Sequence, residues 1–285
     1  MRQISIQTEK DQYFPGELVS GYVIVSTSKE FNCNRVTLKA RGKEYTHYQA
    51  GKAHVSETHK VLNKDLIICE GGIVPSGDTR LDFEFKLPEN IPPTHVGFRG
   101  SIQYDIGVVI EISRAIDTKS KTNLIVASRP PQYIPEAGPE SQPIRREKEQ
   151  LLIELPTDIV RPNRDFDVRV CVRERPRVKG VRVEIHRRED VMCQGNKLDS
   201  NILIMDRRIP IADSDWDRWI DEAVNFDWGT VTPFVAKLIK TSLVLKVVME
   251  IGLAIDPSIE IPLKVSGEKV KDEADSDSID LGLEW

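Results

Sequence analysis

The sequence predicts an all-β protein made of two consecutive immunoglobulin-like antiparallel β-sandwiches. Three observations predict it: apolar and polar residues alternate with period two along most of the chain, glycine and proline punctuate the alternation, and a proline-rich interruption divides it in two. A length of 285 residues exceeds what one hydrophobic core ordinarily serves, so two domains are expected.

The first half opens on MRQISIQTEK, which alternates from its fourth residue and so starts as a strand. It lacks the unbroken apolar stretch of a secretory leader, and the expected location is cytoplasmic. Further strands follow where β-branched and aromatic residues recur at every second position: Val19, Gly21, Val23 and Val25; Val36, Leu38 and Ala40; Leu81, Phe83, Phe85 and Leu87; and Ile102 through Ile112. Between them stand Pro15-Gly16, Gly71-Gly72, Pro75-Ser76-Gly77-Asp78 and Pro92-Pro93, residue types that set turn geometry. This grammar assigns residues 1–129 to the first sandwich.

RPPQYIPEAGPESQPIRREKEQ then breaks the alternation with prolines and ends in charge, so residues 130–147 are expected to be a linker. Alternation resumes at Leu151, Ile153 and Leu155 and runs through Val168–Val172, Val181–Ile185 and Leu243–Ile255, placing the second sandwich at 148–267. One exception is SDWDRWIDEAVNFDW, where Trp216, Trp219, Ile220 and Ala223 fall at helical spacing and predict a short amphipathic helix. Residues 268–285 hold seven acidic against two basic side chains and are expected to form an acidic flexible tail.

The halves echo each other. A proline turn launches the strand at Val19 and another, at Pro162, launches the strand at Phe166; LDFEFKLP before SIQYDIGVVIEI is matched by AVNFDW before TSLVLKVVMEI.

Composition narrows the function. A net charge of −5 gives no bulk attraction for nucleic acid, and no nucleic-acid partner is expected. The longest apolar run, from Leu243, is broken by Lys246 and Glu250 and is too short for a membrane helix. Cys33, Cys69, Cys171 and Cys193 form no C-x-x-C pair. His47, His54 and His59 with Glu44, Glu57 and Cys69 match no zinc spacing and read as a strand and its loop, so no metal is expected. With no nucleophile elbow, Walker loop, H-E-x-x-H or dinucleotide fingerprint, neither catalysis nor a cofactor is expected.

The turn and strand YFPGELVSGYVIV (13–25) resembles the early strand signature of arrestins. The run GDTRLDFEFKLPENIPPTHVGFRGSIQYDIGVVIEI (77–112) is similar to the same family's Phe-x-Phe-x-Leu-Pro, Pro-Pro and Gly-x-Ile-x-Tyr pattern. The resemblance covers the N-terminal half and implies the arrestin fold, with the job of a non-catalytic adaptor or scaffold that binds other proteins. It is nearer to α-arrestins, the retromer's arrestin-fold subunit and prokaryotic arrestin-like proteins than to visual arrestins. Of the adjacent phosphate-sensing lysines only Lys10 has a counterpart, and no Asp-rich loop aligns with the polar core. A retromer-like membrane-peripheral sorting component, bound to acidic lipid or to a larger coat, is the alternative.

Three segments are candidate binding sites. Residues 161–190 hold ten basic side chains against six acidic, and Arg173, Arg175, Arg177, Lys179, Arg182, Arg187 and Arg188 would form a basic face or tip for an acidic partner; the plain alternative is a solvated face guarding a strand edge. Ile279, Leu281, Leu283 and Trp285 alternate at the end of the acidic tail and could add a strand to a sheet edge, in cis or on a partner, where a frayed terminus is the alternative. By resemblance, arrestin tails dock on their own N-domain. Finally, Pro130, Pro131 and Tyr133 complete a Pro-Pro-x-Tyr motif that a WW domain would read, unless the prolines only stiffen a hinge.

Overall fold

The computed structural model describes residues 2–112, 116–135, 142–161, 164–225, 232–252 and 255–267. Among them the only helical element is a single 3-10 turn, Asp213–Asp215; the rest is strand and connection, so the chain is all-β as expected.

The chain divides into two compact units that interleave in sequence. The first comprises Met1–Arg129, Glu184–Asp206 and Val231–Val244; the second comprises Pro130–Val183, Arg207–Thr230 and the chain from Leu245 onward. The first unit thus takes in two stretches that lie beyond Arg129 in sequence.

In the first unit, β1 (Arg2–Thr8), β2 (Leu18–Thr27) and β6 (Gly77–Lys86) form an antiparallel sheet in the order β1-β2-β6. A larger sheet holds β4 (Ala53–Cys69), β3 (Phe31–Ala50), β8 (Gly100–Ile112) and β7 (His95–Val96), in that order, with β5 (Gly72–Val74) beside β3 and β9 (Thr118–Leu124) beside β8. The side chains whose alternation predicted strands are the ones withdrawn from water: Val19, Val23 and Val25, Phe83 and Phe85, and Ile102 through Ile110 at every second position. Gly16 adopts a φ of 85°, where L side chains are strained, which is why the turn before β2 ends on glycine. Gly21 in β2 has another cause: a Cβ there would strike the Gln7 carbonyl and the Phe83 ring.

In the second unit, β10 (Ile144–Lys148), β11 (Leu151–Leu155), β13 (Phe166–Val172) and β16 (Trp219–Val224) form a four-stranded antiparallel sheet. The other sheet runs in the order β12-β18-β17-β14-β15, from β12 (Ile159–Val160) and β18 (Ser258–Val265) through β17 (Ile239–Ile251), β14 (Val178–Cys193) and β15 (Asn196–Pro210). Leu151, Ile153, Leu155, Val168, Val170, Val181, Val183, Leu245, Val247 and Met249 bury their side chains in this unit. Strands β14, β15 and β17 are long enough to belong to the second unit at one end and to the first at the other.

Two elements differ from expectation. The tryptophan segment is no helix: after the 3-10 turn it forms β16, with Ile220 opposite Val170 and Val224 opposite Phe166. Pairing to β13 satisfies a whole row of backbone groups, which outweighs helical spacing in so short a segment. The second difference lies in the segment read as linker. Residues 144–148 form β10, and before them Gly267 donates its N–H to the Gln132 carbonyl at 2.9 Å while Ile134 donates to Ser266 Oγ at 2.8 Å.

The outer face of the four-stranded sheet explains how β10 forms without an apolar face. Arg145, Glu154, Arg169 and Asp221 stand opposite one another on β10, β11, β13 and β16, in alternating charge. Glu154 pairs with Arg145 and, at 2.6 Å, with Arg169, whose Nε meets Asp221 at 2.7 Å. Cross-strand pairs of opposite charge take the place of burial.

Candidate functional site

Two buried carboxylates organise the first unit beyond its sandwich. On β3 the inward phase runs through Leu38, Ala40, Gly42 and on to Glu44 and Thr46, and both polar side chains are fully buried. Glu44 Oε1 accepts hydrogen bonds from the N–H groups of Leu238 and Ile239, each at 2.7 Å. Those donors belong to a tight turn. Val235 and Lys240 bridge antiparallel, Thr241 N–H donates to the Phe234 carbonyl at 2.9 Å, and Ala236 N–H donates to the Ile239 carbonyl at 2.8 Å. Successive N–H groups of a turn form a small anion-binding nest, and here an internal carboxylate fills it.

The second carboxylate lies on β14. Glu189, in the inward phase of β14 and with no exposed surface, meets His95 Nε2 through Oε2 at 2.8 Å and accepts the Arg99 N–H through Oε1 at 2.9 Å. Burial pushes the Glu189 carboxyl up. Hydrogen bonds from His95 and the Arg99 N–H, with the charges of His95 and Arg187, outweigh it and hold the group below the usual carboxylate value. Gly97 is required beneath it, because a Cβ there would coincide with Glu189 Oε2. The His95 ring also meets Phe234 edge-on, with centroids 5.1 Å apart, so the two clasps share a wall.

Between the clasps runs a seam of hydrogen bonds to backbone carbonyls. Thr46 Oγ1 donates to the Met192 carbonyl at 2.8 Å, and the Met192 N–H donates to the Leu238 carbonyl at 2.8 Å. The β14–β15 turn then rests on the β3–β4 hairpin, with Gln194 N–H on Glu57 at 2.6 Å and Asn196 Nδ2 on the Tyr48 hydroxyl at 2.9 Å.

A groove of about 440 Å³ opens beside this seam, between the 188–199 hairpin and the 236–240 turn. Its floor is apolar, formed by Val191, Met192, Leu198, Ala236, Leu238 and Ile239, and its rim carries Arg188, Lys197, Lys237, Lys240, Asp190 and Asp199. Both rim acids pair with Arg188, at 3.1 and 3.7 Å, and the four rim cations outnumber the two carboxylates. The site therefore combines an apolar trough with a cationic edge, held in shape from below by hydrogen-bonded carboxylates.

Arg173, Arg175, Arg177, Lys179 and Arg182 belong to the second unit, Arg187 and Arg188 to the first. Arg173 meets Glu147 at 2.9 Å, Arg175 pairs with Glu149, and Arg182 shares Glu250 with Arg208. Arg188 alone reaches the groove rim. In the Pro-Pro-x-Tyr segment, Tyr133 lies under the Arg161 guanidinium at 5.6 Å and Pro131 abuts Gly267, which tie Pro130–Tyr133 to the end of β18. Ile279, Leu281, Leu283 and Trp285 lie outside the described residues. Among the described residues no group of three or more His, Cys, Asp or Glu is placed to hold a metal; Glu44 and Glu57 serve the contacts above, and His47 stacks on His54 at 5.5 Å.

Glu44, His95 and Glu189 were not anticipated from the sequence. The signal lay in strand phase, since both acids fall on the inward parity of alternating strands, where a carboxylate must find donors.

Residues 2–130 match the family model described as arrestin (or S-antigen), N-terminal domain. Arrestin domain-containing protein 17 of Caenorhabditis elegans is 23% identical over 126 residues, covering 38% of this chain and 30% of the relative. The match thus spans less than a third of that protein's length. The domain at residues 2–130, whose turn, strands and proline crossing are those described above, is thus similar to the arrestin N-terminal domain.

Proposed function

We propose that this protein is a non-catalytic adaptor, and that the groove beside the carboxylate seam holds an extended segment of a partner protein in which acidic and apolar residues alternate. An arrestin-family domain supports an adaptor role in general. The observation that carries the finer reading is the pairing of an apolar floor with a rim on which lysines leave a net positive charge. Apolar side chains supply affinity, while rim charge sets the on-rate and rejects basic competitors. The chain's own residues 272–285 have this alternation, with Ile279, Leu281, Leu283 and Trp285 set among aspartates and a glutamate, and we propose them as one such segment. The arginines of the second unit are proposed as a separate contact for acidic partners.

The test uses a fluorescein-labelled peptide of sequence 272–285 titrated against the full chain and against the chain ending at residue 267. Saturable binding that weakens about tenfold in Lys237→Glu/Lys240→Glu supports the groove. Tighter binding once the tail is removed identifies cis occupancy. Binding that ignores the lysine reversal rules the groove out, and binding to phosphatidylserine vesicles but not to the peptide replaces the reading with a membrane-peripheral one.

A further inference from the structure

The strand pair β3–β4 holds a second feature that partner binding does not use. Cys33 lies near the start of β3 and Cys69 is the last residue of β4. The register sets them on adjoining stretches, three residues out of step: Cys69 stands opposite Val36, and Gly72 of β5 stands opposite Cys33. A bulge at this point of β3 shifts the pairing with β8 between Cys33 and Arg35, and the opposing chain turns through Gly71 and Gly72 at φ of 113° and 131°. Gly71 is pressed against the Asn34 and Cys33 carbonyls so closely that only glycine fits. Cys33 is a member of the buried apolar cluster and Cys69 packs against that cluster. Their thiols interact side chain to side chain, and burial together with Cys69 beside it pushes the Cys33 thiol up. Cys69 is half-buried and reachable from solvent, while Cys33 is 5% exposed.

We propose that Cys33 and Cys69 form a dithiol–disulfide couple that closes in response to low-molecular-weight disulfides. The accessible Cys69 thiolate attacks a small disulfide, its sulfur bonding to one small sulfur and expelling the other as a thiol. Cys33, held behind it, then loses its proton and attacks the Cys69 sulfur, forming the protein bridge and releasing the second small thiol. Two protein thiols are oxidised, one small disulfide is reduced to two thiols, and no further oxidant is needed. The bridge closes the β3–β4 hairpin into a ring across its paired bulges, the irregular part of the sheet where backbone can adjust to disulfide geometry. The other thiols have different neighbours: Cys193 is buried against the Thr46 carbonyl at 3.7 Å, and Cys171 lies near Asp217 and Arg173 in the second unit.

The experiment equilibrates the full chain with mixtures of oxidised and reduced glutathione, quenches with acid, counts free thiols and maps peptides without reduction. The expected result is a fall from four thiols to two, a single link between Cys33 and Cys69, full reversal by dithiothreitol, and an unchanged circular dichroism spectrum. In Cys33→Ser, glutathione is expected to persist on Cys69 because nothing expels it. Four surviving thiols, a link to Cys171 or Cys193, a wild-type protein that accumulates the same adduct as Cys33→Ser, or a link that forms only with loss of the strand spectrum would each overturn the proposal.

Discussion

Glu189 on β14 and His95 on β7 face each other at 2.8 Å with both side chains withdrawn from water. The carboxyl is held below its usual value of 4.5, so its contribution to stability is complete above the unfolded value and fades as pH falls through the folded one. Replacing it with glutamine keeps an acceptor for the Arg99 N–H but removes the charge, and should cost about 2 kcal/mol at neutral pH. Urea melts of wild type and Glu189→Gln from pH 7 to pH 3 check this: the gap between them should narrow below pH 4.5, and a gap that widens on acidification contradicts the assignment.

Gly97 and Gly107 offer a paired test of packing around the same carboxylate. A methyl group at Gly97 has no room beside Glu189, whereas at Gly107 in β8 it would meet the Ser120 carbonyl at an ordinary 3.5 Å. Gly97→Ala should therefore destabilise by about 1–3 kcal/mol, and Gly107→Ala should change stability by less than about 0.5 kcal/mol. Thermal denaturation of the two variants distinguishes a specific clash from a general intolerance of substitution.

Glu44 Oε1 accepts from two N–H groups of one turn. Truncation to alanine leaves both donors buried without a partner, at roughly 1–3 kcal/mol each. Hydrogen exchange at Leu238 and Ile239 should accelerate by at least about tenfold in Glu44→Ala. Glu44→Gln, which retains one acceptor oxygen, should recover part of the protection; equal exchange in both variants would show that the turn holds itself.

At the charged ladder of the second unit the sign of the pH effect is again fixed by geometry. Hydrogen bonds from Arg145 and then Arg169 keep the Glu154 carboxyl below its usual 4.5, so the ladder's support is present above that value and lost as acid protonates it. Glu154→Gln should expose the amides of β10 to faster exchange at pH 7, and the difference from wild type should shrink as pH falls below 4.5. High salt should reduce the effect only in part, since Glu154 itself is hardly exposed.

Strand phase was legible wherever one face is buried, because burial forces alternation. Val19 through Val25 and Ile102 through Ile112 declare themselves in the sequence, and Gly16 declares its turn. β10 did not, since an edge strand carrying Arg145, Arg146 and Glu147 buries no face and is held by backbone bonds and cross-strand charge. In β16, the spacing of Trp216, Trp219, Ile220 and Ala223 imitates a helix, and only the presence of β13 alongside decides against it. The clasps were half legible. The parity of Glu44 and Glu189 marks them as inward, but the donors at Leu238, Ile239, His95 and Arg99 lie far away in sequence, and no local pattern announces such a meeting.

The interleaving of the first unit bears on how such a chain can be divided. A fragment cut after Arg129 would preserve almost the whole recognisable family domain, yet it would lack the turn that occupies Glu44 and the residue that occupies His95. Two desolvated polar side chains would be left stranded in an otherwise intact sandwich. What sequence comparison identifies as a module is in this molecule smaller than the compact unit that contains it, so the inherited domain and the packed body have different borders.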